Sequence, residues 1–282
     1  MNGFVDALER TTATVHPTAI VAPDAVLEPD VFIGPFCQVG ADVVLERGAR
    51  LLSHVVVDGH TRIGADCVVY PFTTIGMAPQ DLKYRGEPTE TVIGPRTQIR
   101  EHCTIHRGTV TGSGITRVGA DCLLMAVVHV AHDCALGDGI VIANNVVMGG
   151  HVSIGDGAVI GGASALHQFV RIGRGVMVGG VSGVEADVVP YGRVVGNRAR
   201  LVGLNVIGLK RRGVDKAGLQ LLRRTFLDLF GPDANGDTFA ERKERVRAAA
   251  ADPLSREMLA FIDAPSARGL IRRALRDDPD EG

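Results

Sequence analysis

The chain is organised by an apolar residue that returns at every sixth position. The first series has no polar member and consists of Val15, Val21, Leu27, Ile33, Val39, Leu45, Leu51, Val57, Ile63, Val69 and Ile75. The rhythm resumes at Ile93, Ile99 and Ile105, and then runs from Val118 in steps of six to Val184 and Pro190. Amphipathic helices repeat at about 3.6 residues and half-buried strands at about 2. A period of six therefore predicts a solenoid of short repeats.

Three hexapeptides form one triangular coil of 18 residues, and the strands of successive coils pair in parallel. We therefore expect an all-β solenoid with an added α-helical part. The solenoid is predicted to be a parallel β-helix of hexapeptide repeats over 15–192, after a short N-terminal segment, 1–14. The rhythm breaks over 76–92 and 107–117, which predicts two loops that leave the coils. A glycine often follows the apolar residue, as at Gly34 and Gly94. Either a left-handed backbone or crowding between coils would require it.

Beyond the solenoid the pattern changes to that of helices. A basic connecting segment, 193–213, precedes a small C-terminal helical domain, 214–276, and an acidic tail, 277–282. The first helix is indicated by an i, i+3, i+4 pattern of apolar residues, namely Leu219, Leu222, Phe226 and Leu229. Further helices are predicted over 239–251 and 266–275. Solenoid ends require caps, and these helices would supply one.

Composition narrows the functional classes. The formal net charge is -2, so nucleic acid is not an expected partner. No apolar run approaches the roughly 20 residues that span a bilayer, so no stable membrane insertion is expected and the protein is predicted to be cytoplasmic. All five cysteines lie four residues after an apolar repeat position: Cys37, Cys67, Cys103, Cys122 and Cys134. They are predicted to be buried free thiols in a reducing compartment.

The 18-residue register also predicts where chemistry lies. It places His132 beneath Gly150, Gly150 beneath Gln168, and Asp133 beneath His151. A histidine beside a carboxylate, with a glycine peptide one coil above, offers a proton acceptor, a group to orient it and an N–H for an oxyanion. This combination favours acyl transfer to a hydroxyl. Four of the nine histidines lie within about two coils: His129, His132, His151 and His167. The same cluster could instead hold a metal, as in hexapeptide-repeat carbonic anhydrases.

Seven segments of the chain resemble one family. They are LKYRGEPT, TIHRGTV, HVAHDC, IANNVVMGGHVSIGD, VIGGASALHQF, VMVGGVSGV and GLKRRG. In order and spacing they are similar to the UDP-N-acetylglucosamine acyltransferases, over about Val15 to Arg273. The resemblance implies a left-handed β-helix, a homotrimer, no cofactor and no metal. It implies transfer of a 3-hydroxyacyl chain from acyl carrier protein to the glucosamine 3-position of UDP-N-acetylglucosamine, the first step of lipid A biosynthesis.

The resemblance also implies roles for individual residues. His132 matches the general base, Asp133 its acidic support, and Gly150 the peptide of the oxyanion hole. The positions that match substrate-binding residues are Asp81, Lys83, His129, His151, His167, Gln168, Asn205, Arg211 and Arg212. Asp81 and Lys83 lie in the first predicted loop, and loops that leave a rigid scaffold often carry binding residues.

Two positions match the acyl-chain groove of the family. Gly180 matches a small residue where a bulkier side chain would shorten the accepted chain, which predicts a donor of about twelve carbons or more. Arg198 replaces a histidine associated with the far end of the groove. Ile207 stands where the family has a glutamate that contacts substrate, so nucleotide recognition differs in detail.

Partners and rival functions follow from the same residues. The segment 193–212 contains six basic and no acidic residues, which favours docking of the acidic acyl carrier protein. The acceptor could carry a 3-amine instead of a 3-hydroxyl. A sister family that N-acylates a glucosamine amine shares the solenoid but normally has a separate N-terminal domain, whereas about 14 residues precede Val15 here. A non-catalytic scaffold would tolerate His132→Ala.

Overall fold

The structure is a computed structural model and describes residues 12–232, 236–271 and 273. Most of this part of the chain is wound into coils of very short strands. The strands are β1 (Thr14–Val15), β2 (Ile20–Val21), β3 (Val26–Leu27), β4 (Phe32–Ile33), β5 (Gln38–Val39), β6 (Val43–Leu45), β7 (Arg50–Leu51), β8 (Val56–Val57), β9 (His60–Ile63), β10 (Val68–Val69), β11 (Thr74–Met77), β12 (Glu90–Ile93), β13 (Gln98–Ile99), β14 (Thr104–His106), β15 (Ile115–Val118), β16 (Leu123–Leu124), β17 (His129–Val130), β18 (Ala135–Leu136), β19 (Val141–Ile142), β20 (Val147–Met148), β21 (Ser153–Ile154), β22 (Val159–Ile160), β23 (Ala165–Leu166), β24 (Arg171–Ile172), β25 (Met177–Val178), β26 (Gly183–Val184), β27 (Gly192–Val195) and β28 (Arg200–Leu204).

These strands form three sheets that enclose a triangular prism. The first sheet takes every third strand from β1 to β25 and ends with β27 and β28; the second runs from β2 to β26 and the third from β3 to β24. Pairing within the coils is parallel and in the predicted register, so that Val15 faces Ile33 and Met148 faces Leu166. The predicted parallel β-helix of hexapeptide repeats is confirmed.

The turns between sheets define three corners. The first corner joins the first sheet to the second, the second corner joins the second to the third, and the third corner joins the third to the first. The residue three places after an apolar repeat position takes a left-handed backbone, as at Phe36 and Asp133. Glycine is required directly after some repeat positions for a different reason, which is lack of space. A Cβ on Gly94 would lie 2.5 Å from the carbonyl carbon of Gly119, so crowding between coils requires glycine there.

The interior of the prism is the hydrophobic core. The repeat residues from Ile33 onward are buried, whereas Val15 in the first described coil is 41% exposed, because among the described strands β1 pairs with β4 alone. All five cysteines are buried and free, as predicted. Burial raises the pKa of the Cys67 thiol to about 11, so this thiol stays protonated and packs as a small apolar group.

The two loops are shorter than the broken rhythm predicts. β11 continues to Met77 and β12 begins at Glu90, while β14 ends at His106 and β15 begins at Ile115. The loops therefore span 78–89 and 107–114. Both connect the second sheet to the third, so both leave the solenoid at the second corner. His132, Asp133, Gly150 and His151 lie in later turns of that same corner.

The segment 193–213 is more than a connection. β27 and β28 form an antiparallel pair that extends the first sheet, and helix α1 (Val206–Arg211) follows. Helices α2 (Lys216–Phe230), α3 (Phe239–Ala249) and α4 (Pro253–Asp263) complete the C-terminal part. Among the described residues, no helix is long and apolar enough to cross a membrane.

One predicted helix is wrong. The described part of 266–275 is not helical and instead makes isolated β-bridges, in which Asp187 pairs with Leu270 and Leu201 with Arg273. The helix in this region is α4, which begins after the Asp252 cap with Pro253 in its first turn. The periodicity misled because Gly269, Leu270 and Ile271 form backbone contacts with Asp187 at the end of the solenoid. The acidic tail, 277–282, and most of the predicted N-terminal segment lie outside the described residues.

Thr91 on the third sheet supports a stability prediction. Its hydroxyl is buried without a hydrogen-bond partner, which is an unfavourable state. Thr91→Val removes this hydroxyl at nearly constant shape and is expected to raise the free energy of unfolding by about 1 kcal/mol. The register partner Thr116 is the matched control, because its hydroxyl accepts a hydrogen bond from the Asp133 amide at 2.8 Å. Thr116→Val should destabilise. Urea unfolding curves giving both variants the same sign would contradict this account.

Candidate active site

Three side chains from successive turns of the second corner form a column on the surface of the prism. Asp133, His151 and Phe169 each occupy the left-handed position of their turn, so they project outward in one column. The His151 and Phe169 rings stack with centroids 4.4 Å apart, and the His132 ring meets His151 edge-on at 5.1 Å. The second corner therefore carries three packed rings, those of His132, His151 and Phe169, next to the Asp133 carboxylate.

His132 and Asp133 form a hydrogen-bonded pair. His132 Nδ1 lies 2.8 Å from Asp133 Oδ2, and the Asp133 side chain is fully buried while that of His132 is 16% exposed. Burial would raise the pKa of Asp133, but hydrogen bonds from Thr109 and His132 outweigh it and keep that pKa below its ordinary value. An ionised carboxylate on Nδ1 favours the tautomer in which Nε2 is the free acceptor.

Gly150 lies against the outer edge of the His132 ring. A Cβ built on Gly150 would be 2.5 Å from His132 Cε1 and 2.7 Å from Nε2. The 18-residue register predicted this neighbourhood, and only a glycine leaves room for the ring. The Nε2 edge of His132 and the Gly150 residue therefore border the same space, an arrangement that would suit removal of a proton beside a developing oxyanion.

The loop 107–114 contributes residues that the sequence interpretation did not identify. Thr109 Oγ1 donates to Asp133 Oδ2 at 2.6 Å, and the amides of Thr109 and Gly114 reach Oδ1, each at 3.1 Å. Ser113 Oγ also lies 3.1 Å from Oδ1. The break in the hexapeptide repeat predicted the loop. It did not indicate that Thr109 would contact Asp133, 24 positions further along the chain.

A second histidine pair lies on the neighbouring face. His129 Nδ1 bonds to Thr104 Oγ1 at 2.7 Å, and its ring meets His106 edge-on at 4.9 Å. Burial lowers the pKa of both histidines, that of His106 to about 4, so both are neutral at pH 7. His106 was not predicted as a site residue. The sequence did contain an indication of its role, since His106 directly precedes the loop and lies one coil below His129.

The loop 78–89 brings Asp81 and Lys83 to the same corner. Together with Tyr84 they line a small cleft against Thr109 and Val110 of the second loop. Burial lowers the pKa of His151 against the opposing charges of Asp133 and Asp81. His167 and Gln168 follow one coil above Gly150 and are exposed.

Other predicted substrate residues lie at the third corner of the prism. The Asn205 side chain caps α1 and donates to the Gly175 carbonyl at 3.0 Å, while the Arg212 guanidinium donates to the Gly157 carbonyl. These contacts hold α1 on the solenoid. Arg211 is exposed beside them. Within one chain, this group does not share a corner with His132.

The predicted groove residues form a third group. Gly180 belongs to a turn of the first corner, where a Cβ would meet the Gly162 carbonyl oxygen at 3.3 Å. Arg198 borders a cavity of about 270 Å³ at the solenoid end, together with Gly183 and Leu270. One chain thus spreads the predicted site residues over all three corners.

The cluster of His132, Asp133 and His151 has the composition of a metal site, with its ligand atoms within 4.8 Å of one another. Both oxygens of the Asp133 carboxylate already accept hydrogen bonds from loop 107–114. A cation would have to displace these donors. The arrangement fits proton transfer better than metal binding.

The chain matches two family profiles. Residues 115–150 match the six-repeat hexapeptide profile of bacterial transferases, and residues 187–271 match the profile described as UDP-N-acetylglucosamine O-acyltransferase, domain 2. A curated relative from Azorhizobium caulinodans, an acyl-[acyl-carrier-protein]–UDP-N-acetylglucosamine O-acyltransferase, is 50% identical over 92% of this chain and 94% of its own length.

Solved structures show the same similarity. The UDP-N-acetylglucosamine O-acyltransferase of Moraxella catarrhalis is 42% identical, with a TM-score of 0.88 over 92% of this chain and 99% of that one. An Acinetobacter baumannii structure is 40% identical, with a TM-score of 0.86 over 92% and 99%. Solenoid and site define a hexapeptide-repeat transferase with a left-handed parallel β-helix and a C-terminal helical domain. The chain belongs to the UDP-N-acetylglucosamine O-acyltransferase family, and it is an acyltransferase.

The buried histidines predict acid lability. His106 has a pKa of about 4 when folded and about 6.5 when unfolded. The unfolded chain therefore binds more protons between these values, so stability is complete above pH 6.5 and falls as the pH drops toward 4. The expected loss from His106 is about 3 kcal/mol. Unfolding midpoints at pH 7 and pH 5 should differ less in His106→Gln, while exposed His60→Gln should retain the full difference. An unchanged pH dependence in His106→Gln would contradict the assignment.

Proposed function

We propose that the protein transfers a 3-hydroxyacyl chain from acyl carrier protein to the glucosamine 3-hydroxyl of UDP-N-acetylglucosamine, the first step of lipid A biosynthesis. The observation that carries this proposal is the His132–Asp133 pair, 2.8 Å apart, with its free edge against Gly150. The curated relative named above supports the two substrates. The details that follow are parts of the same proposal.

The geometry supports a direct transfer through a tetrahedral intermediate. His132 Nε2 takes the proton of the sugar hydroxyl while that oxygen attacks the thioester carbonyl carbon. The new C–O bond forms, and the carbonyl oxygen becomes an oxyanion that the Gly150 N–H receives. When the C–S bond breaks, the imidazolium returns its proton to the departing thiolate of the carrier's prosthetic group. Asp133 remains ionised throughout and stabilises the imidazolium.

A homotrimer would bring the separated groups together. Asn205, Arg211 and Arg212 lie at the third corner and His132 at the second, so one chain does not assemble the nucleotide-binding and catalytic groups in one cleft. Packing of one prism's second corner against another prism would create such a cleft and bury an elongated substrate. Sedimentation of a fully active monomer would contradict this arrangement.

Substrate contacts are assigned by position. His151, His167 and Gln168 line the second corner near the sugar, and His129 lies on the adjoining face of the second sheet. Asp81 and Lys83 lie on the covering loop, and Lys83 and exposed Arg211 supply positive charge for the nucleotide phosphates. Ile207 is 67% exposed and supplies no carboxylate, so this chain binds the nucleoside without the glutamate typical of the family.

The acyl chain follows the side of the prism marked by Gly180, with Arg198 toward its far end. The nearest atom to a Cβ on Gly180 is 3.3 Å away, and the absence of a side chain leaves the groove open for a donor of about twelve carbons or more. Exposed basic residues on 193–212, including Arg193 and Lys210, form the surface for the acidic carrier.

The reaction requires no metal or other cofactor in this proposal and takes place in the cytoplasm. The five free buried cysteines are consistent with a reducing compartment. A carbonic anhydrase of the hexapeptide-repeat class is the metal-dependent alternative. Chelation by EDTA should leave acyl transfer unchanged, and an EDTA-sensitive hydration of carbon dioxide would favour the alternative.

One experiment tests substrate, acceptor atom and chain length together. The protein is incubated with a mixture of 3-hydroxyacyl carrier-protein thioesters and with either UDP-N-acetylglucosamine or its 3-amino analogue, and products are identified by mass spectrometry. We expect an ester product from the 3-hydroxyl acceptor and a preference for long donors. Exclusive use of the 3-amino sugar would establish N-acyl transfer instead. A strict preference for ten carbons would contradict the open groove at Gly180.

A further inference from the structure

The buried carboxylate of Asp133 is surrounded by donors from a single loop. Asp133 adopts a left-handed backbone, with φ of 59°, and its side chain has no exposed surface. An ionised carboxylate so deeply buried is stable only when it is well hydrogen-bonded. Loop 107–114 supplies two amides and a hydroxyl as donors, and Ser113 lies within reach of the same carboxylate.

Thr109 makes the shortest of these contacts. Its hydroxyl lies 2.6 Å from Asp133 Oδ2, the oxygen that also bonds to His132 Nδ1 at 2.8 Å. Its own amide reaches both carboxylate oxygens, at 3.1 and 3.2 Å. Thr109 is 2% exposed, so it is shielded from substrate. Its hydroxyl also lies 3.2 Å from Thr111 Oγ1, but its contact with the catalytic pair is made through Asp133.

We propose that Thr109 is a positioning residue of the acyl transfer, which fixes the Asp133 carboxylate so that His132 presents Nε2 to the acceptor hydroxyl. This inference rests on the proposed function. The hydroxyl of Thr109 directs a positive dipole at the shared oxygen Oδ2, and so sets both the direction and the strength of the hydrogen bond to His132. A carboxylate held by one fewer donor can rotate away from the imidazole.

The two sides of loop 107–114 distinguish the positioning role of Thr109 from substrate binding. Val110 and Thr111 on the outer side of loop 107–114 line a small cleft together with Asp81, Lys83 and Tyr84 of the loop 78–89, whereas the Thr109 hydroxyl points inward to the carboxylate. Removing the hydroxyl keeps the amide contacts of the loop to Asp133 and, on the outer side, costs only the 3.2 Å hydrogen bond to Thr111 Oγ1. The expected effect therefore falls on kcat and leaves the KM for the sugar nucleotide unchanged.

Thr109→Val removes the hydroxyl and keeps the shape and the amide. We expect kcat to fall by about 10- to 100-fold, the factor that corresponds to one hydrogen bond to a charged group. Thr109→Ser restores the hydroxyl and should recover most of the activity. Thr91→Val is the matched control, since it removes a buried threonine hydroxyl nearby that makes no hydrogen bond; its activity should be unchanged.

The pH profile of kcat/KM provides a readout that a merely structural role would not move. Among the described residues, the charged or titratable side chains facing the Asp133 carboxylate are His132 at 2.8 Å and His151 at 3.9 Å. The His132 imidazole in turn meets His151 edge-on at 5.1 Å and interacts electrostatically with His106 and His129. Without the hydroxyl dipole, more negative charge on Oδ2 faces the imidazolium and stabilises it. The acid limb, which reports loss of the neutral base, should therefore move to higher pH in Thr109→Val and return in Thr109→Ser.

The possible outcomes are distinct. If the unmodified protein transfers acyl chains and Thr109→Val is equally active with the same pH profile, the positioning role is refuted while the proposed function stands. A raised KM with unchanged kcat would also refute it and would indicate that the loop serves substrate binding. If Thr109→Val fails to fold, Ser113→Ala removes a second side chain from the carboxylate and should show the same kcat loss and pH shift. An inactive unmodified protein would overturn the proposed function and this inference with it.

Discussion

Replacing His132 with alanine is expected to lower kcat by about 10²- to 10⁴-fold, the usual contribution of a positioned general base. Within the part of the chain that the structure describes, the His132 imidazole is the only group in the second corner that combines an ionised carboxylate on one nitrogen, at 2.8 Å, with a free edge facing Gly150. Among the described residues, the neighbouring His151 lies 3.9 Å from that carboxylate and stacks on Phe169. It is not placed to replace the base. Initial rates with saturating carrier-protein thioester and sugar nucleotide measure the loss.

The same experiment distinguishes an enzyme from a scaffold. The His132 ring is outside the apolar core, so His132→Ala should keep the unfolding midpoint of the unmodified protein. His60 on β9 provides a matched control, because its exposed side chain is on the same solenoid and far along the prism from the pair. His60→Ala should retain full activity. A folded and fully active His132→Ala would refute the proposed mechanism.

Gly150→Ala is expected to lower kcat by about 10²-fold although it adds only one methyl group. The new Cβ would lie 2.5 Å from His132 Cε1, so the ring must move away from its place beside the Gly150 peptide. Misplacing a catalytic group by about 1 Å can cost a factor of that size. Single-turnover rates with bound substrates would measure the chemical step directly.

Other repeats of the chain indicate that Gly150→Ala would disturb the His132 ring and not the backbone of the solenoid. Ala65 and Ala120 occupy the same place in their hexapeptides as Gly150 does, two residues after Ile63 and Val118, so the backbone of the repeat accepts a Cβ there. Gly150→Ala should accordingly fold with little change in its unfolding midpoint. Unaltered kcat in the folded variant would show that the ring is not confined by this glycine.

Much of the fold could be predicted because the solenoid is a local structure repeated many times. Each apolar residue at a period of six meets its equivalents in the coils above and below, so one rule specifies pairing, register and burial at once. That rule also placed Gly150 beside His132 and His151 beside Asp133. The helical part lacks such redundancy, and there the predicted helix over 266–275 was wrong because packing against Asp187 and Leu201 outweighed a weak local pattern.

The candidate site shows the same division. The sequence by itself determined the repeat, the column of site residues at the second corner, the buried cysteines and the resemblance to a family. Only the tertiary structure revealed that loop 107–114 folds onto the Asp133 carboxylate, and that Asn205 and Arg212 attach α1 to a different corner. Loops that leave the coils obey no period, and their contacts depend on hydrogen bonds to groups distant in sequence. Packing and electrostatics in three dimensions therefore decided how the acid beside His132 is held.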